Sequence, residues 1–426
     1  LCVLLSLCFN SFLVHGYLPN DFMISSISPV LKDKTGDVSD TSNYRPIALT
    51  SVASKILERI ILSKSLSFIE SCDNQFGFKS MHSTDLCIYA LKETVNYYIS
   101  HSTPVFACFM DASKAFDRVS HCFLFRKLLD RNFPLLFLRI LIFWYVNQQM
   151  CVRWGNAFSH IFSVSNGVRQ GGVLSPYLFN VYVDGLSMKL NRNSNGCMIG
   201  NVMINHFFYA DDLVLICPSL NGLQKLVDIC SEFSTSHEIV FNSKKTVCMS
   251  FLPSSLKFAR PFKLLLQGQR LSFKSDCKYL GVFLCDDRTD DLDLNRQLRS
   301  FYVRCNYLMR NFNSCSQEVK CLLFNTFCGN FYSGHCWSSY KRASMSKLVV
   351  GFNNSFRRLM SYPRFCSASS MYVFNHVCSF NEILRKSIYS FRERILNSQN
   401  SIICTLARFT LHSPLWKLWH HHLFSF

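Results

Sequence analysis

Residues 207–217 read F-F-Y-A-D-D-L-V-L-I-C, two apolar runs separated by a pair of polar, acidic residues. A second apolar run, Val105 to Met110, ends directly at another aspartate, Asp111. Short runs of this kind are typical of strands that are covered on both faces. We therefore predict a sheet in which Asp111 follows one strand, while Asp211 and Asp212 occupy the turn between two others.

These three carboxylates need a compensating partner, because an ionised group is costly to place next to buried strands. Two divalent cations about 4 Å apart would supply one, and such a pair catalyses in-line phosphoryl displacement. Carboxylate oxygens with open positions for phosphate favour magnesium. In the alternative interpretation they are ordinary hairpin-turn aspartates and a surface acid, which is the commoner case for an isolated Asp-Asp pair.

The composition indicates a folded protein with a polyanionic partner. The 426 residues include 45 Lys and Arg against 27 Asp and Glu, a net charge of +18, and 49% of them are apolar and 15% aromatic. Such a chain is not disordered, and its charge favours nucleic acid, with an anionic membrane surface as the alternative. The length predicts two or three domains.

The 21 cysteines form no C-x-x-C pair, and their odd number argues against a secreted disulfide framework. We interpret them as buried reduced thiols, with no disulfide-linked partner. The cluster Cys321, Cys328, His335 and Cys336 fits no common zinc-finger spacing, and the run 420–422 of three histidines is not assigned a metal.

The first twenty residues contain no Asp, Glu, Lys or Arg, but they also have no basic start, and polar residues interrupt their apolar run. We interpret them as an amphipathic core helix that is cut off at its start, rather than as a signal or membrane segment. The absence of an initiating Met indicates a chain that begins inside a longer reading frame.

Further elements follow from periodicity and turn signals. Helices are predicted over 47–61 and 85–99, and from Ser175 as N-cap with Pro176 in the first turn to about Leu190. A hairpin is predicted over 277–284, and a second basic helix near 347–360. An amphipathic helix is predicted from the apolar stripe Leu294, Leu298, Phe301, Cys305, Leu308 and Phe312, with Arg296, Arg299 and Arg310 off that stripe.

Seven short motifs occur in a characteristic order. They are N-Y-R-P-I-A-L-T from Asn43, Q-F-G-F-K-S-M-H-S-T from Gln75, F-A-C-F-M-D-A-S-K-A-F-D from Phe106, G-V-R-Q-G-G-V-L-S-P from Gly167, F-Y-A-D-D from Phe208, K-K-T from Lys244 and K-Y-L-G-V from Lys278. Together they resemble the reverse transcriptase of non-LTR (LINE-type) retrotransposons, the jockey-like branch most of all. The resemblance extends over about residues 10–400.

The resemblance implies an α+β right-hand polymerase with fingers, a palm built on an antiparallel sheet, and a helical thumb. The implied domains are fingers over 1–104 with the N-terminal helix, palm with inserted fingers segments over 105–285, and thumb over 286–345. A helical extension would occupy 346–426, and its tail from about residue 401 matches nothing in the family.

The resemblance also implies roles for single residues. Asp111, Asp211 and Asp212 would hold two Mg²⁺ ions, with Mn²⁺ as a substitute, and Lys245 would protonate the departing pyrophosphate. Phe116 would exclude a 2′-hydroxyl, Gln170 and Gly171 would contact the incoming nucleotide, and Arg45, helped by Lys32 and Lys79, would contact its triphosphate. Primer and template would be contacted by Tyr279, Leu280 and Gly281 of the hairpin and by Arg296 and Arg299 of the thumb.

The implied function is RNA-directed DNA polymerisation, in which deoxynucleoside triphosphates extend a DNA 3′-hydroxyl on an RNA template. In this family the primer is nicked target DNA, so the expected location is the nucleus, after a cytoplasmic ribonucleoprotein stage. No membrane association is expected. The alternatives are a catalytically inactive nucleic-acid-binding remnant and a reverse transcriptase of the intron-maturase type.

Overall fold

The computed structural model describes residues 1–256 and 262–424. The first part of the chain contains the helices α1 (Cys2–His15), α2 (Asn20–Met23), α3 (Val52–Ser65) and α4 (Thr84–Ser100), with the strands β1 (Ile24–Leu31), β2 (Tyr44–Leu49) and β3 (Val105–Met110). The middle part contains the helices α5 (His121–Asp130), α6 (Leu135–Val146), α7 (Ser175–Asn191) and α8 (Leu220–His237). Its strands are β4 (Gln149–Trp154), β5 (Ala157–Phe158), β6 (Phe162–Ser163), β7 (Cys197–Ile199), β8 (Val202–Ile204), β9 (His206–Tyr209), β10 (Asp212–Cys217) and β11 (Val247–Phe251).

The last part begins with short strands and ends in helices. The strands are β12 (Leu265–Leu266), β13 (Gln269–Arg270), β14 (Ser272–Phe273), β15 (Asp276–Tyr279) and β16 (Val282–Cys285). The helices are α9 (Asp291–Asn311), α10 (Gln317–Cys328), α11 (Arg342–Leu359), α12 (Ala368–Phe374), α13 (Phe380–Leu396), α14 (Ser401–Phe409) and α15 (Pro414–Phe424). Among the described residues, no helix combines the length and apolarity needed to cross a membrane.

A five-stranded sheet in the order β14–β11–β3–β10–β9 forms the centre of the fold. The strand β3 pairs antiparallel with both β10 and β11, β10 pairs antiparallel with β9, and only β14 runs parallel to its neighbour. The predicted α+β class with a mainly antiparallel central sheet is therefore confirmed. The predicted strands around Asp111 and Asp211 are present, but the prediction that Asp212 lies in the turn is wrong, because Asp212 belongs to β10 and pairs with Tyr209.

Helices cover both faces of this sheet, because successive side chains of a strand point to opposite sides. In β3, Val105 and Ala107 join one hydrophobic core together with side chains of α4, α9, α11 and α13 to α15. Phe106, Cys108 and Met110 join a second core with side chains of α1, α3 and α5 to α8. The continuous apolar run noted in the sequence thus belongs to a strand that is buried on both faces.

A second sheet, in the order β2–β1–β4–β5 with β6 beside β4, lies outside the central one. The helix predicted over 47–61 is wrong at its start, because residues up to Leu49 belong to β2 and pair with β1. The edge position of β2 accommodates Pro46, which has no backbone donor. The helix α3 begins only at Val52, where the side chain of Ser51 accepts a hydrogen bond from the backbone of Ser54.

The remaining helix predictions agree with the structure, with a correction at Ser175. Residues 85–99 lie within α4, and the stripe from Leu294 to Phe312 lies on or directly after α9. The helix α7 begins at Ser175 rather than after it, so Leu174 is its N-cap and the Ser175 side chain does not cap it. The capping role predicted for Ser175 is therefore wrong.

Two predicted domain boundaries do not coincide with breaks in packing. The boundary after residue 345 falls inside α11, which packs against α9. The helix α4, assigned to the fingers by the limit at 104, packs against β3 and β9 of the central sheet. The strands β4 to β6 lie in the outer sheet, where β4 pairs with β1.

The two ends of the described chain differ from expectation. The helix α1 buries only Phe9 and exposes Leu4, Leu7 and Val14, so it is a helix but not the predicted amphipathic core helix. The tail, by contrast, folds into α14 and α15, and buries Trp416 and Trp419 in the first core. All 21 cysteines lie within the described ranges, and each is a free thiol there.

Candidate active site

The hairpin of β9 and β10 carries the two neighbouring aspartates. Tyr209 pairs with Asp212, so only Ala210 and Asp211 remain in the turn, and Ala210 has a φ of 57°. The strand β10 also pairs with β3, with Leu213 opposite Met110. If this register is continued by one residue, Asp212 faces Asp111, so all three carboxylates lie at one end of the central sheet.

The electrostatics of the site are those of crowded carboxylates. Burial raises the pKa of Asp211, the charge of Asp111 raises it further, and Arg45 opposes the shift. The pKa of Asp212 is raised to about 6, first by desolvation and then by the charges of Asp211 and Asp111. The fold therefore holds these groups together against their mutual repulsion, and positive charge at this point would relieve it.

The donor chemistry fits divalent cations. Within the described ranges none of the three carboxylates forms an ion pair with a Lys, Arg or His side chain. Carboxylate oxygens are the ligands that Mg²⁺ prefers. Over the same residues, however, no group of three or more His, Cys, Asp or Glu side chains is arranged as a complete metal site. The fit thus rests on donor type and electrostatic repulsion, not on a finished coordination shell.

A cavity of about 340 Å³ opens beside these aspartates and is lined by Asp111, Asp212, Lys245 and Leu280, among others. The loop that carries Lys245 is tied to the end of β3. The backbone nitrogen of Asn242 donates to the carbonyl of Asp111 over 2.8 Å, and the backbone nitrogen of Asp111 lies 3.3 Å from Thr246 Oγ1. Lys245 lines the cavity, and its neighbour Lys244 is not among the lining residues.

Phe116 lies on the loop after β3 and is half-buried. Its ring stacks on Phe179 of α7, with 4.3 Å between the ring centres and 10° between the ring planes. The Phe116 carbonyl accepts a hydrogen bond from the backbone nitrogen of Val168 over 2.8 Å. The ring also lies edge-to-face against Phe78, with 6.4 Å between the ring centres. It is therefore held by two aromatic neighbours.

Gln170 follows Val168 and is held by a residue that the sequence did not single out. Its Nε2 atom donates to Asp117 Oδ1 over 2.8 Å, and its carbonyl accepts from the Ala48 backbone nitrogen over 2.7 Å. Gly171 follows at a φ of +117°, and a Cβ there would lie 2.8 Å from the Ala48 carbonyl oxygen. This approach of two loops explains why glycine is needed at that position.

Comparison with known proteins agrees with this geometry. Residues 31–284 match the family described as "Reverse transcriptase (RNA-dependent DNA polymerase)". The chain belongs to this family. The resemblance drawn from the seven motifs is confirmed.

Relatives of this reverse transcriptase domain are proteins of mobile elements. The chain is 26% identical over 414 residues to "RNA-directed DNA polymerase from mobile element jockey" of Drosophila funebris, an alignment that covers 93% of the chain and 44% of that protein. It is 31% identical over 241 residues to the "Retrovirus-related Pol polyprotein from type-2 retrotransposable element R2DM" of Drosophila melanogaster, covering 55% of the chain and 22% of that protein. Among solved structures, apo telomerase from Candida tropicalis matches with a TM-score of 0.46 and 12% identity, over 95% of this chain and 73% of that one. The chain thus spans less than half the length of the two curated relatives.

The three fingers cations predicted to contact the triphosphate lie in different surroundings. Arg45 of β2 is exposed and close enough to Asp211 to lower its pKa. Lys32 donates through Nζ to the carbonyl of Ser42 over 2.8 Å, and Lys79 to the carbonyl of Cys72 over 2.7 Å. Burial also lowers the pKa of Lys79. Of these three cations, Arg45 is therefore the one whose charge acts on Asp211, while Lys32 and Lys79 donate to backbone carbonyls.

Two other fingers residues contact the acidic turn directly, and the sequence assigned them no role. Gln75 Oε1 accepts hydrogen bonds from the backbone nitrogens of Gly77 over 2.8 Å and Ala210 over 3.1 Å. A Cβ on Gly77 would overlap the Ala210 nitrogen. The motif Q-F-G was visible in the sequence, but its contact with a turn about 135 residues later in the chain depends on the fold.

Arg169, directly before Gln170, is buried below the loop that carries Gln170. Its Nη2 atom lies 3.1 Å from Glu58 Oε1, and its guanidinium lies over the ring of Trp144, 4.3 Å from the ring centre. The other oxygen of Glu58 accepts a hydrogen bond from the backbone nitrogen of Val173. Arg169 and Glu58 therefore fix the base of the loop that presents Gln170.

The hairpin of β15 and β16 separates its three predicted primer contacts. Tyr279 is 5% exposed, and its ring packs against Phe109 with 5.3 Å between centres. Leu280 and Gly281 form the turn, with φ angles of 44° and 85°. Tyr279 and Leu280 are among the residues that line the cavity, whereas Gly281 is not. Tyr279 thus packs in the core and also borders the cavity, and Leu280 is the residue of the turn that lines it.

The two thumb arginines are also different from each other. Arg299 is exposed on α9. Arg296 is half-buried, and its Nη2 atom lies 2.7 Å from Oδ1 of the buried Asp293. Asp293 in turn accepts hydrogen bonds from the backbone of Phe283 and the ring nitrogen of Trp337. Arg299 is therefore a free-standing surface cation among the described contacts, whereas Arg296 is paired with Asp293.

Proposed function

We propose that this chain is the RNA-directed DNA polymerase domain of a non-LTR retrotransposon. It would add deoxynucleotides to a DNA 3′-hydroxyl on an RNA template and release pyrophosphate. The observation that carries the proposal is a cavity lined by Asp111, Asp212 and Lys245, with Asp211 near enough for its charge to raise the pKa of Asp212. Family membership and relatives named as RNA-directed DNA polymerases support it.

In this proposal Asp111 and Asp211, completed by Asp212, hold two Mg²⁺ ions, for which Mn²⁺ can substitute. When bound, the ions supply activation of the primer hydroxyl and stabilisation of the leaving phosphate oxygens. Lys245 lines the same cavity as Asp111 and Asp212 and would donate a proton to the departing pyrophosphate. Arg45 offers its guanidinium to the triphosphate, for which a planar fork is well suited.

Phe116 selects the sugar by filling the space that a 2′-hydroxyl would need. Because its ring is backed by Phe179, it cannot yield to a larger sugar without losing that stacking. Gln170 lies beside it and packs against the incoming nucleotide. The loop that carries Gln170 is anchored by Asp117, Ala48 and the buried pair of Arg169 with Glu58.

The RNA template and the DNA primer would lie along the cleft between the palm and the thumb, with Lys and Arg contacts to phosphate providing most of the affinity. The relatives belong to mobile elements, and we propose that the primer is a nick in target DNA. Target-primed synthesis would take place in the nucleus, after a cytoplasmic ribonucleoprotein stage.

The proposal is tested with the full 426-residue chain, a labelled DNA primer and an RNA template. We expect extension that requires deoxynucleoside triphosphates and Mg²⁺ and that stops on chelation. Binding of the template–primer without any extension, in Mg²⁺ and in Mn²⁺, would instead support the inactive-remnant alternative. Extension that requires a folded intron RNA would favour the intron-maturase alternative.

A further inference from the structure

Tyr332 lies between α10 and α11 and reaches the turn of the β15–β16 hairpin. Its hydroxyl donates to the carbonyl of Leu280 over 2.8 Å. The same hydroxyl lies 2.7 Å from Thr84 Oγ1, the side chain at the first residue of α4. Since the Thr84 hydroxyl can supply its own hydrogen, one tyrosine oxygen joins the hairpin turn to the helix α4.

The ring of Tyr332 also fits the shape of this turn. Gly281 has a φ of +85°, and a Cβ built on it would lie 3.0 Å from the Cε1 atom of Tyr332. The absence of a side chain at Gly281 lets the ring lie against the backbone. The turn is therefore fixed twice, by the hydroxyl at Leu280 and by the ring at Gly281.

The backbone around Tyr332 is itself held from two sides. The Nε2 atom of Gln297 in α9 donates to the carbonyl of Tyr332 over 2.7 Å. The hydroxyl of the next residue, Ser333, donates to the carboxylate of Asp85 in α4. Gln297 and Ser333 thus attach the backbone around Tyr332 to the helices α9 and α4, independently of its contact with the hairpin.

The contact lies at the active site and not in a remote core. Leu280 lines the same cavity as Asp111 and Asp212. Tyr332 also lies close to Tyr209, the residue before the acidic turn, whose pKa is raised by burial and then by Tyr332. Tyr332 keeps 37% of its surface exposed, so filling a core is not its main role.

We propose that Tyr332 is a positioning residue, which holds the Leu280–Gly281 turn at the edge of the acidic cavity and so sets the place of the primer 3′ end. This inference rests on the polymerase function proposed above. Tyr332 acts through Leu280, and its hydroxyl is the group that matters. Loss of that hydroxyl should therefore weaken the use of primer and not the use of nucleotide.

The test uses Tyr332→Phe in the full chain, which keeps the ring and removes the hydrogen bond. We expect the apparent KM for template–primer, and its Kd measured by anisotropy, to rise about three- to tenfold, as for one lost hydrogen bond. The KM for deoxynucleotide should stay within about twofold of the parent value, a change too small for a lost hydrogen bond. The matched control is Tyr389→Phe, which makes the same change at an exposed tyrosine of α13 and should leave all three constants unchanged.

Thr84→Val tests the same contact by changing its partner on α4. It should raise the KM for template–primer by a smaller factor, and the double variant should show less than the product of the two effects, because both changes disrupt one group. Equal constants for Tyr332→Phe and the parent overturn the inference, as does a lowered melting temperature with unchanged KM and Kd. Full loss with Tyr332→Ala but none with Tyr332→Phe also overturns it, since the ring would then contact the primer directly.

Failure of the proposed function is distinguishable from failure of this inference. A parent chain that binds template–primer but never extends it contradicts the polymerase proposal. The position of the turn is then still decided by the Kd values, which need no catalysis. A Kd for Tyr332→Phe equal to that of the parent contradicts the role of Tyr332 in either case.

Discussion

Asp211 occupies the turn of the β9–β10 hairpin. Burial and the charge of Asp111 raise its pKa, so the ionised carboxylate is unfavourable there without a cation. We predict that Asp211→Asn lowers primer extension by at least about 1,000-fold, on the order of the loss of one transition-state charge interaction. Template–primer binding should remain within about threefold, because Lys and Arg contacts to phosphate provide most of the affinity. Single-turnover extension and anisotropy measure the two quantities.

Asp130→Asn is the matched control for that change. Asp130 is exposed at the end of α5, so its replacement removes one charge of the same sign without touching the cavity. Its extension rate should equal that of the parent. Normal extension by Asp211→Asn would remove the metal assignment for this residue.

The role of Phe116 is tested by the ratio of ribonucleotide to deoxynucleotide incorporation, rather than by either rate alone. Phe116→Ala removes the ring that stacks on Phe179 and opens the space beside the sugar. We predict that incorporation of ribonucleotides relative to deoxynucleotides rises by about 10-fold or more, the size expected for relief of a steric exclusion of 1.4 kcal/mol. The measurement is kcat/KM for matched ribo- and deoxynucleoside triphosphates. A lower melting temperature with an unchanged ratio would show that Phe116 only fills the core.

Single residues were predictable where the signal is local. Asp111 and Asp211 end or separate apolar runs, and the geometry of strands places such residues at a sheet end. The partners of these residues were not predictable in the same way. The bonds of Asp117 to Gln170 and of Tyr332 to Leu280 join segments 53 and 52 residues apart, and no spacing rule connects such positions. Tyr279 shows the same limit, because its motif does not reveal that its ring points into the core.

The edge of β9 carries the next test, at the scale of elements. Gln75 pairs with Phe208 of β9, and its side chain accepts a hydrogen bond from the backbone nitrogen of Ala210. Gly77→Ala places a methyl group against the Ala210 nitrogen, so the acidic turn must shift. Since a displacement of about 1 Å in an active site costs on the order of 100-fold, we predict a loss of that size in the extension rate.

The control for Gly77→Ala is Gly185→Ala in α7. A Cβ on Gly185 would overlap only with the end of the flexible Lys127 side chain and would lie at ordinary contact distance, 3.7 Å, from the Phe233 ring. Alanine is also favourable inside a helix. This variant should retain the extension rate of the parent. Comparable losses in both variants would mean that the Gly77 effect is one of general stability.

The helix α9 separates two arginines that the sequence treated alike. Arg299→Gln should weaken template–primer binding for all sequences and reduce the salt dependence by a slope of about one, as for one lost phosphate contact. Arg296→Gln should instead destabilise the fold by about 1–3 kcal/mol, because the buried Asp293 loses its cation. Salt titrations and thermal unfolding of both single variants measure these effects. Parallel salt slopes for parent and Arg299→Gln would show that this face is only solvated surface.

Elements with strong periodicity were predictable from the sequence, and those defined by pairing were not. The stripe on α9 and the apolar run of β3 carry their own pattern, so their bounds agree with prediction. The strand β2 was mistaken for the start of a helix because its hydrogen bonds go to β1, which lies earlier in the chain. Helical spacing within residues 47–49 is too short a signal to compete with that pairing.

The whole molecule is organised by two hydrophobic cores that share the central sheet. The first core extends from the face of β3 that carries Val105 and Ala107, through α9 and α11, to α14 and α15. Sequence resemblance ends before this tail, so its role could not be predicted. Its burial shows that residues after 400 complete the core on which α4 and the thumb rest.

Trp419 gives this connection a measurable consequence. Its ring is 1% exposed and stacks on Tyr89 of α4, with 6.1 Å between ring centres, and its Nε1 atom donates to the carbonyl of His335 over 2.7 Å. Removing so large a buried side chain typically costs about 3–5 kcal/mol. We therefore predict that Trp419→Ala lowers the free energy of unfolding by about that amount. Lys417→Ala, an exposed change on the same helix, should leave it unchanged.

Because α4 also covers the central sheet, urea unfolding of Trp419→Ala should show the palm and the tail losing structure in one shifted transition. An early transition of the tail, with the main transition unchanged, would contradict a core shared by the tail and the palm.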